Sequence, residues 1–140
     1  MILTGTFLSD SEEATKKIGE KLAQSLKGDE VVLIYGKLAA GKTVFIKGMA
    51  RGLGIDENLV ASPTFTLLNI YSGKKLLFHL DLYRIEKEIE LETIGLEDFL
   101  GEGVIAVEWG EKAENQPWAK NAVKVKITVE EDGKRRIEIK

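Results

Sequence analysis

A loop motif able to hold phosphate lies in the first third of the chain. Residues 36–43 read GKLAAGKT and match the pattern G-x-x-x-x-G-K-[ST]. Glycines let the backbone turn its N–H groups inward around an anion, Lys42 can reach the β- and γ-phosphates, and the Thr43 hydroxyl can bind Mg²⁺. The pattern therefore predicts a nucleotide site. Its candidate contacts are Gly36, Leu38, Ala39, Ala40, Gly41, Lys42 and Thr43.

The elements on both sides of this loop support that interpretation. The apolar run at 31–35 predicts a buried strand, and residues 42–53 combine good helix formers with apolar residues at helical spacing. The alternative is a glycine-rich turn without a ligand. A strand, a loop and a helix in this order favour the phosphate site, which would then lie at the carboxyl end of a parallel strand.

Two further apolar runs end in a carboxylate. The run at 76–81 ends in Asp81, and the run at 103–108 ends in Glu108. One acid could hold Mg²⁺ while the other orients a water, and the sequence does not assign the two roles. The alternative for Glu108 is a salt bridge at the end of its strand. His79 shares the face of Asp81, and we expect a hydrogen-bonded structural histidine rather than a catalytic base.

The segment between the loop and these acids is rich in β-formers. Residues 61–66 (ASPTFT) predict a loop that enters a strand, because Pro63 favours an extended residue before it. Runs at 65–71 and 75–82, separated by Ser-Gly-Lys, predict a hairpin. From the residues alone, Thr64 is expected to be a solvated strand residue.

The two ends of the chain predict further elements. A strand at 2–7 is followed by a helix, with Ser9 and Glu12 at the spacing of a capping box. Residues 86–100 predict two short helices. Strands at 123–129 and 135–139 predict a final hairpin, in which Lys134, Arg135 and Arg136 would form a solvated edge.

Composition limits the remaining possibilities. A chain of 140 residues is long enough for one domain, which we assign to 1–140. A net charge of −3 gives no global basic field for nucleic acid, and the absence of cysteine excludes disulfides and thiol chemistry. We find no export leader and no membrane-spanning run, so we expect a cytoplasmic protein.

Four segments, GKLAAGKT, SPTFTL, HLDLYR and VEWGE, occur in this order over residues 11–118. In this arrangement the chain resembles the TsaE (YjeE) family, the bacterial ATPase of tRNA threonylcarbamoyladenosine biosynthesis. The resemblance implies a P-loop NTPase-like three-layer α/β fold with a mostly parallel central sheet and antiparallel hairpin strands. It also implies ATP and Mg²⁺ as cofactors. The implied partners are the threonylcarbamoyl transferase and its inactive paralogue, which modify adenosine 37 of tRNA, so contact with tRNA would be indirect.

The same resemblance implies roles for individual residues. Thr64 would lie in a switch-like loop that senses the γ-phosphate, and Trp109 would be the family's tryptophan beside the acid. The implied catalytic residues are Lys42, Asp81 and Glu108, and the implied metal ligands are Thr43, Asp81 and Glu108. Two positions depart from the family: Ala39 replaces the usual glycine, where a positive φ would be costly, and Lys37 adds a positive charge.

Two other functions remain open. A small-molecule or nucleotide kinase shares the loop but needs an acceptor pocket and arginines around the transferred phosphoryl group, and only Arg51 and Arg84 precede the C-terminal pair. A GTP switch is the other alternative, although no Asn-Lys-x-Asp segment occurs. The preferred hypothesis is an ATPase that is slow unless it is assembled with its partners.

Overall fold

The chain folds around a mixed seven-stranded sheet with strand order β1-β7-β6-β2-β5-β4-β3. The computed structural model describes residues 1–140. The strands are β1 (Gly5–Ser9), β2 (Val31–Tyr35), β3 (Leu68–Ser72), β4 (Leu76–Asp81), β5 (Val104–Glu108), β6 (Val123–Val129) and β7 (Arg135–Ile139). The α-helices are α1 (Glu12–Ser25), α2 (Lys42–Gly52) and α3 (Ile89–Glu92). Short 3₁₀-helices span Glu57–Leu59, Leu96–Asp98, Gly110–Lys112 and Pro117–Ala119.

The centre of the sheet is parallel. Strand β2 pairs in parallel with β5 and β6, and β4 pairs in parallel with β5. The outer pairs β3–β4, β6–β7 and β1–β7 are antiparallel. Strands buried on both faces are expected to be continuous apolar runs, as β2 and β5 are. The predicted fold class, a mostly parallel sheet with antiparallel hairpin strands, is confirmed.

Two hydrophobic cores lie on opposite faces of the sheet and complete three layers. On one face α1 and α2 pack over a cluster of 21 buried residues, and residues 82–122 cover the other face over a cluster of 12. The two helices approach each other closely at glycines. A Cβ on Gly48 would lie 2.0 Å from the backbone oxygen of Lys16, and one on Gly19 would lie 2.3 Å from that of Phe45. No helix of the chain has both the length and the apolar character needed to cross a membrane.

The start of α1 differs from the prediction. Its N-cap is Ser11, whose side chain accepts a hydrogen bond from the Ala14 N–H, so the capping box expected at Ser9 and Glu12 is wrong. Ser9 is the last residue of β1 and is almost fully buried. Its hydroxyl lies 2.6 Å from that of Thr15. The strand extends two residues further than predicted because Ser9 still pairs with Arg135 of β7.

The predicted β3–β4 hairpin is confirmed, but β3 begins at Leu68 instead of residue 65. Leu67 has φ +68°, and its N–H donates to the Pro63 oxygen, so the backbone turns before it joins the sheet. Phe65 lies in this turn and is 83% exposed. The two short helices predicted for 86–100 occur as α3 and the 3₁₀-helix Leu96–Asp98.

The C-terminal hairpin is confirmed, while its predicted solvated edge is wrong. Strand β7 lies between β6 and β1, so β1 is the edge on this side of the sheet. Arg136 is exposed and forms ion pairs with Glu130 and Glu138, as a solvated side chain would. Arg135 instead faces the phosphate loop. The sequence did not show this because the insertion of β7 depends on pairing with a strand more than one hundred residues away.

Candidate functional site

A cavity of about 440 Å³ opens at the carboxyl end of β2 and contains most of the predicted site. Its walls are the loop after β2, the β1–α1 junction, the turn at 62–64 and the ends of β4 and β5. The predicted residues that line it are Leu38, Ala39, Gly41, Lys42, Thr43, Thr64, Asp81, Glu108 and Trp109. Gly36 and Ala40 do not line it. Ala40 is buried, with 1% exposure, and packs in the core.

The loop between β2 and α2 has the predicted strand–loop–helix context. Gly41 has φ +106° and immediately precedes α2, so the backbone turns sharply into the helix. Ala39 has φ +64°, so a residue with a Cβ adopts the left-handed conformation in this loop. A left-handed conformation costs a residue with a Cβ about 1–2 kcal/mol. The backbone of the loop is therefore strained at Ala39, and the rest of the fold must stabilise this conformation.

Lys42 is held inside the loop. Its side chain is almost fully buried, and Nζ donates to the backbone oxygens of Gly36 (2.7 Å) and Lys37 (2.8 Å). Nζ also lies 4.1 Å from the centroid of the Trp109 ring, a cation–π distance. Burial lowers the pKa of Lys42, and the nearby charge of Glu108 partly opposes this effect. The amine is thus desolvated, and a bound anion would stabilise its charged form.

The two predicted acids lie side by side. Asp81 and Glu108 are register partners at the ends of the parallel strands β4 and β5, and they are 2% and 4% exposed. Glu108 Oε2 accepts a hydrogen bond from the Thr43 hydroxyl at 2.8 Å. Asp81 Oδ2 accepts one from the Thr64 hydroxyl at 2.7 Å, and Oδ1 accepts one from the Tyr83 N–H at 2.9 Å.

This donor set fits Mg²⁺. The ion prefers hard oxygen ligands, and proteins usually bind it through one or two carboxylates together with substrate phosphates and water. Thr43, Asp81 and Glu108 supply one hydroxyl and two carboxylates beside the loop. No group of three or more acidic, histidine or cysteine side chains is placed to hold a metal alone. The hydroxyl and the two carboxylates therefore suit an ion that is also bound by phosphate.

Thr64 differs from the expectation drawn from its sequence context. It lies in the turn before β3, and its hydroxyl donates to Asp81. The prediction that Thr64 is a solvated strand residue is therefore wrong. The Ser62 hydroxyl is within hydrogen-bonding distance of both Thr64 (2.8 Å) and Asp81 (3.3 Å). The turn is thus tied to one acid of the cavity. Its role as a sensor of the γ-phosphate stays a prediction.

His79 is a hydrogen-bonded buried residue, as predicted. It is 0% exposed, and Nε2 lies 2.6 Å from Glu108 Oε2. No lysine or arginine forms an ion pair with Glu108, and the side chain that contacts its carboxylate across the strands is the imidazole of His79. The contact joins the two strands behind the cavity.

Sequence reasoning missed several residues of the cavity wall, and three of them are polar side chains that are held in place by the fold. Arg135 lines it, and its guanidinium donates from Nε to the Ala40 oxygen (3.2 Å) and from Nη1 to the Gly133 oxygen (2.6 Å). Ser9 and Thr15 line the opposite end as buried polar residues. The burial of the Ser9 hydroxyl at the end of β1 and of the Thr15 hydroxyl in the first turn of α1 has no signature in the local sequence. A partial indication for Arg135 was present in the sequence, because a residue that begins a strand directly after a tight turn lies at the end of the sheet.

Comparisons with known proteins agree with this geometry. Residues 9–137 match the family model described as threonylcarbamoyl adenosine biosynthesis protein TsaE. A relative from Treponema pallidum, named tRNA threonylcarbamoyladenosine biosynthesis protein TsaE, is 39% identical over 133 residues, covering 94% of this chain and 97% of its own. The Aquifex aeolicus protein of that name is 44% identical over 114 residues, covering 80% and 81%. The crystal structure of Bacillus subtilis YdiB is similar with a TM-score of 0.79 and 33% identity, covering 99% of this chain and 86% of YdiB.

Proposed function

The chain belongs to the TsaE family, and on that basis we propose that it is the ATP-binding and ATP-hydrolysing subunit of the bacterial machinery that makes threonylcarbamoyladenosine in tRNA. The names of its relatives support the pathway. The chemistry is supported by the cavity, and one observation carries it. A buried lysine, a hydroxyl and two carboxylates from three separate segments meet at the carboxyl end of parallel strands.

Each of these residues has a role in the proposed reaction. Lys42 would donate to the β- and γ-phosphates of ATP in place of the Gly36 and Lys37 oxygens, and hydrogen bonds to charged phosphate are the stronger ones. Thr43 and one of the two acids hold Mg²⁺, which neutralises phosphate charge when bound. The second acid orients the attacking water. Asp81 and Glu108 lie side by side at the ends of β4 and β5, so both are within reach of the same metal and water.

The turn at 62–66 is proposed to report the state of the nucleotide. The Thr64 hydroxyl donates to Asp81. A metal or a γ-phosphate beside that carboxylate competes for the same oxygen, so the turn would move when ATP binds and return after hydrolysis. This coupling would make the exposed Phe65 side chain, in the same turn, sensitive to the nucleotide.

We propose that the partners are the threonylcarbamoyl transferase and its inactive paralogue, and that tRNA is contacted only through them. The isolated chain has few cations with which to stabilise charge on a transferring phosphoryl group. Arg135 is the one arginine on the cavity wall, and it already binds loop oxygens. Hydrolysis by the isolated chain is therefore expected to be slow, and a partner surface would complete the site.

The test separates binding from turnover. Asp81→Ala and Glu108→Ala are compared with the wild type for ATP affinity and for hydrolysis, each alone and with the transferase and its paralogue. We expect measurable affinity in both variants but a loss of hydrolysis of about 100-fold or more, because these groups act on the metal and the water. Glu102→Ala, an exposed acid outside the cavity, is the matched control and should match the wild type.

Two results would contradict the proposal. Wild-type turnover in both acid variants of the assembled complex would show that the carboxylates do not act on ATP. Fast hydrolysis by the isolated chain that does not respond to the two partner proteins, or transfer of phosphate to a small acceptor, would favour the kinase alternative.

A further inference from the structure

One buried side chain beside the cavity has no assigned role. His79 lies on β4, two residues before Asp81, and its register partner on β5 is Ala106, two residues before Glu108. It does not line the cavity. Its imidazole is 0% exposed and lies behind the two acids, with the Tyr71 ring 6.5 Å away. The residue is thus near the reacting groups without touching the space where a ligand would bind.

The hydrogen bonding of this imidazole is one-sided. Nε2 lies 2.6 Å from Glu108 Oε2, whereas Nδ1 is buried and has no partner. An N–H group buried at Nδ1 would lack an acceptor, which is more costly than an unused lone pair. The proton is therefore at Nε2, and the imidazole donates to the carboxylate.

Glu108 is held through a single oxygen. Oε2 accepts both the His79 N–H and the Thr43 hydroxyl, while no protein group is hydrogen-bonded to Oε1. Two donors on one oxygen fix the rotation of the carboxylate and leave the other oxygen available to the cavity that Glu108 lines. Hydrogen bonds of this kind orient ligating carboxylates and strengthen their binding.

We propose that His79 is a positioning residue, which holds Glu108 so that its free oxygen faces Mg²⁺ or the attacking water; this inference rests on the proposed ATPase function. A histidine with only a packing role would not need this contact. For such a histidine, burying Nδ1 without a partner would destabilise the fold, and no function would offset that cost. The two roles predict different responses when Glu108 is also changed.

The experiment is a double-mutant cycle in the assembled complex. His79→Leu removes the donor, and His79→Gln keeps an N–H near the position of Nε2. Each is made alone and combined with Glu108→Ala. Steady-state hydrolysis gives kcat and KM, and calorimetry gives ATP affinity with and without Mg²⁺. Phe78→Leu is the matched control for loss of packing. Phe78 is the buried residue before His79 on β4, and it packs in the core cluster of 12 residues.

We expect His79→Leu to lower kcat by roughly 10- to 100-fold and to reduce the gain in ATP affinity that Mg²⁺ provides. ATP affinity without Mg²⁺ should stay near that of the wild type, since His79 does not line the cavity. His79→Gln should restore most of the loss. In the Glu108→Ala background His79→Leu should have no further effect on either quantity, because its action passes through that carboxylate.

Three results would overturn the inference. They are a wild-type kcat and Mg²⁺ response in His79→Leu, an equal loss in the Glu108→Ala background, or a loss of the same size in Phe78→Leu. If His79→Leu does not fold, His79→Asn takes its place, because its shorter amide cannot reach Glu108. A wild-type protein that fails to bind ATP would contradict the proposed function itself, and that result is separate from all three.

Discussion

The polar groups of the cavity are hydrogen-bonded to other groups of the protein. Lys42 donates to the oxygens of the loop, Thr43 donates to Glu108, and Thr64 donates to Asp81. A nucleotide with its metal would exchange these contacts for stronger, charge-assisted ones, so little desolvation would remain to be overcome. The residues are therefore arranged in advance for a charged ligand.

Proton uptake follows from the burial of Lys42. Because burial lowers the pKa of this amine, part of the free protein carries it neutral at alkaline pH. A bound triphosphate raises the pKa again, so ATP binding should take up a proton there, and ATP affinity should fall as pH rises through the lowered pKa. Calorimetry at alkaline pH in two buffers of different ionisation enthalpy measures the proton number.

Lys42→Met is the control for that measurement, since it should show no uptake. Release of protons on ATP binding by the wild type, or the same uptake by Lys42→Met, would show that the lysine does not contact the phosphates.

At the level of elements, the sequence predicted what depends on local pattern. The loop motif, the apolar runs that end in Asp81 and Glu108, and the two hairpins all carry their signal within a few residues. What it did not predict depends on distant pairing. The position of β7 between β6 and β1 brings Arg135 to the loop. The pairing of Ser9 with β7 extends β1, so α1 is capped by Ser11 and not by Ser9.

Backbone strain is concentrated around the cavity. The three residues other than glycine with positive φ are Ala39 (64°), Leu67 (68°) and Trp109 (63°). Ala39 and Trp109 line the cavity, and Leu67 ends the turn that holds Thr64. Strained residues persist where the surrounding structure imposes them, and they occur preferentially at functional sites. The loop, the turn and the end of β5 therefore each contain a residue in a backbone conformation that is unfavourable for its type.

Ala39→Gly tests this strain. Glycine adopts the left-handed conformation without a Cβ clash, so the free energy of unfolding should rise by up to about 1 kcal/mol despite the greater entropy of the unfolded chain. Ala40→Gly is the matched control. Its buried methyl packs in the core at a position without positive φ, so the same change there should lower the free energy of unfolding by about 1 kcal/mol.

Denaturant titration of the two variants measures both changes. A decrease with Ala39→Gly as large as that with Ala40→Gly would mean that the left-handed conformation at this position carries no cost.

At the scale of the whole molecule, the arrangement of charge favours dependence on other proteins. Arg51 pairs with Glu13 and Glu57 on the far side of α2, and Arg84 lies 5.3 Å from the centroid of the Phe65 ring. Neither lines the cavity. The molecule thus offers a lysine, two acids and one loop-bound arginine to ATP, which is enough to bind phosphate but little with which to stabilise a transition state.

The central claim is that the cavity binds ATP through its phosphate loop, and calorimetric titration with Mg-ATP tests it most directly. The wild type is compared with Lys42→Ala and with Lys47→Ala, a lysine of the same helix that does not line the cavity. A hydrogen bond to a charged group contributes about 1.5–3 kcal/mol, so Lys42→Ala should bind roughly 10- to 150-fold more weakly while Lys47→Ala matches the wild type. Unchanged ATP affinity in a folded Lys42→Ala protein would contradict the account.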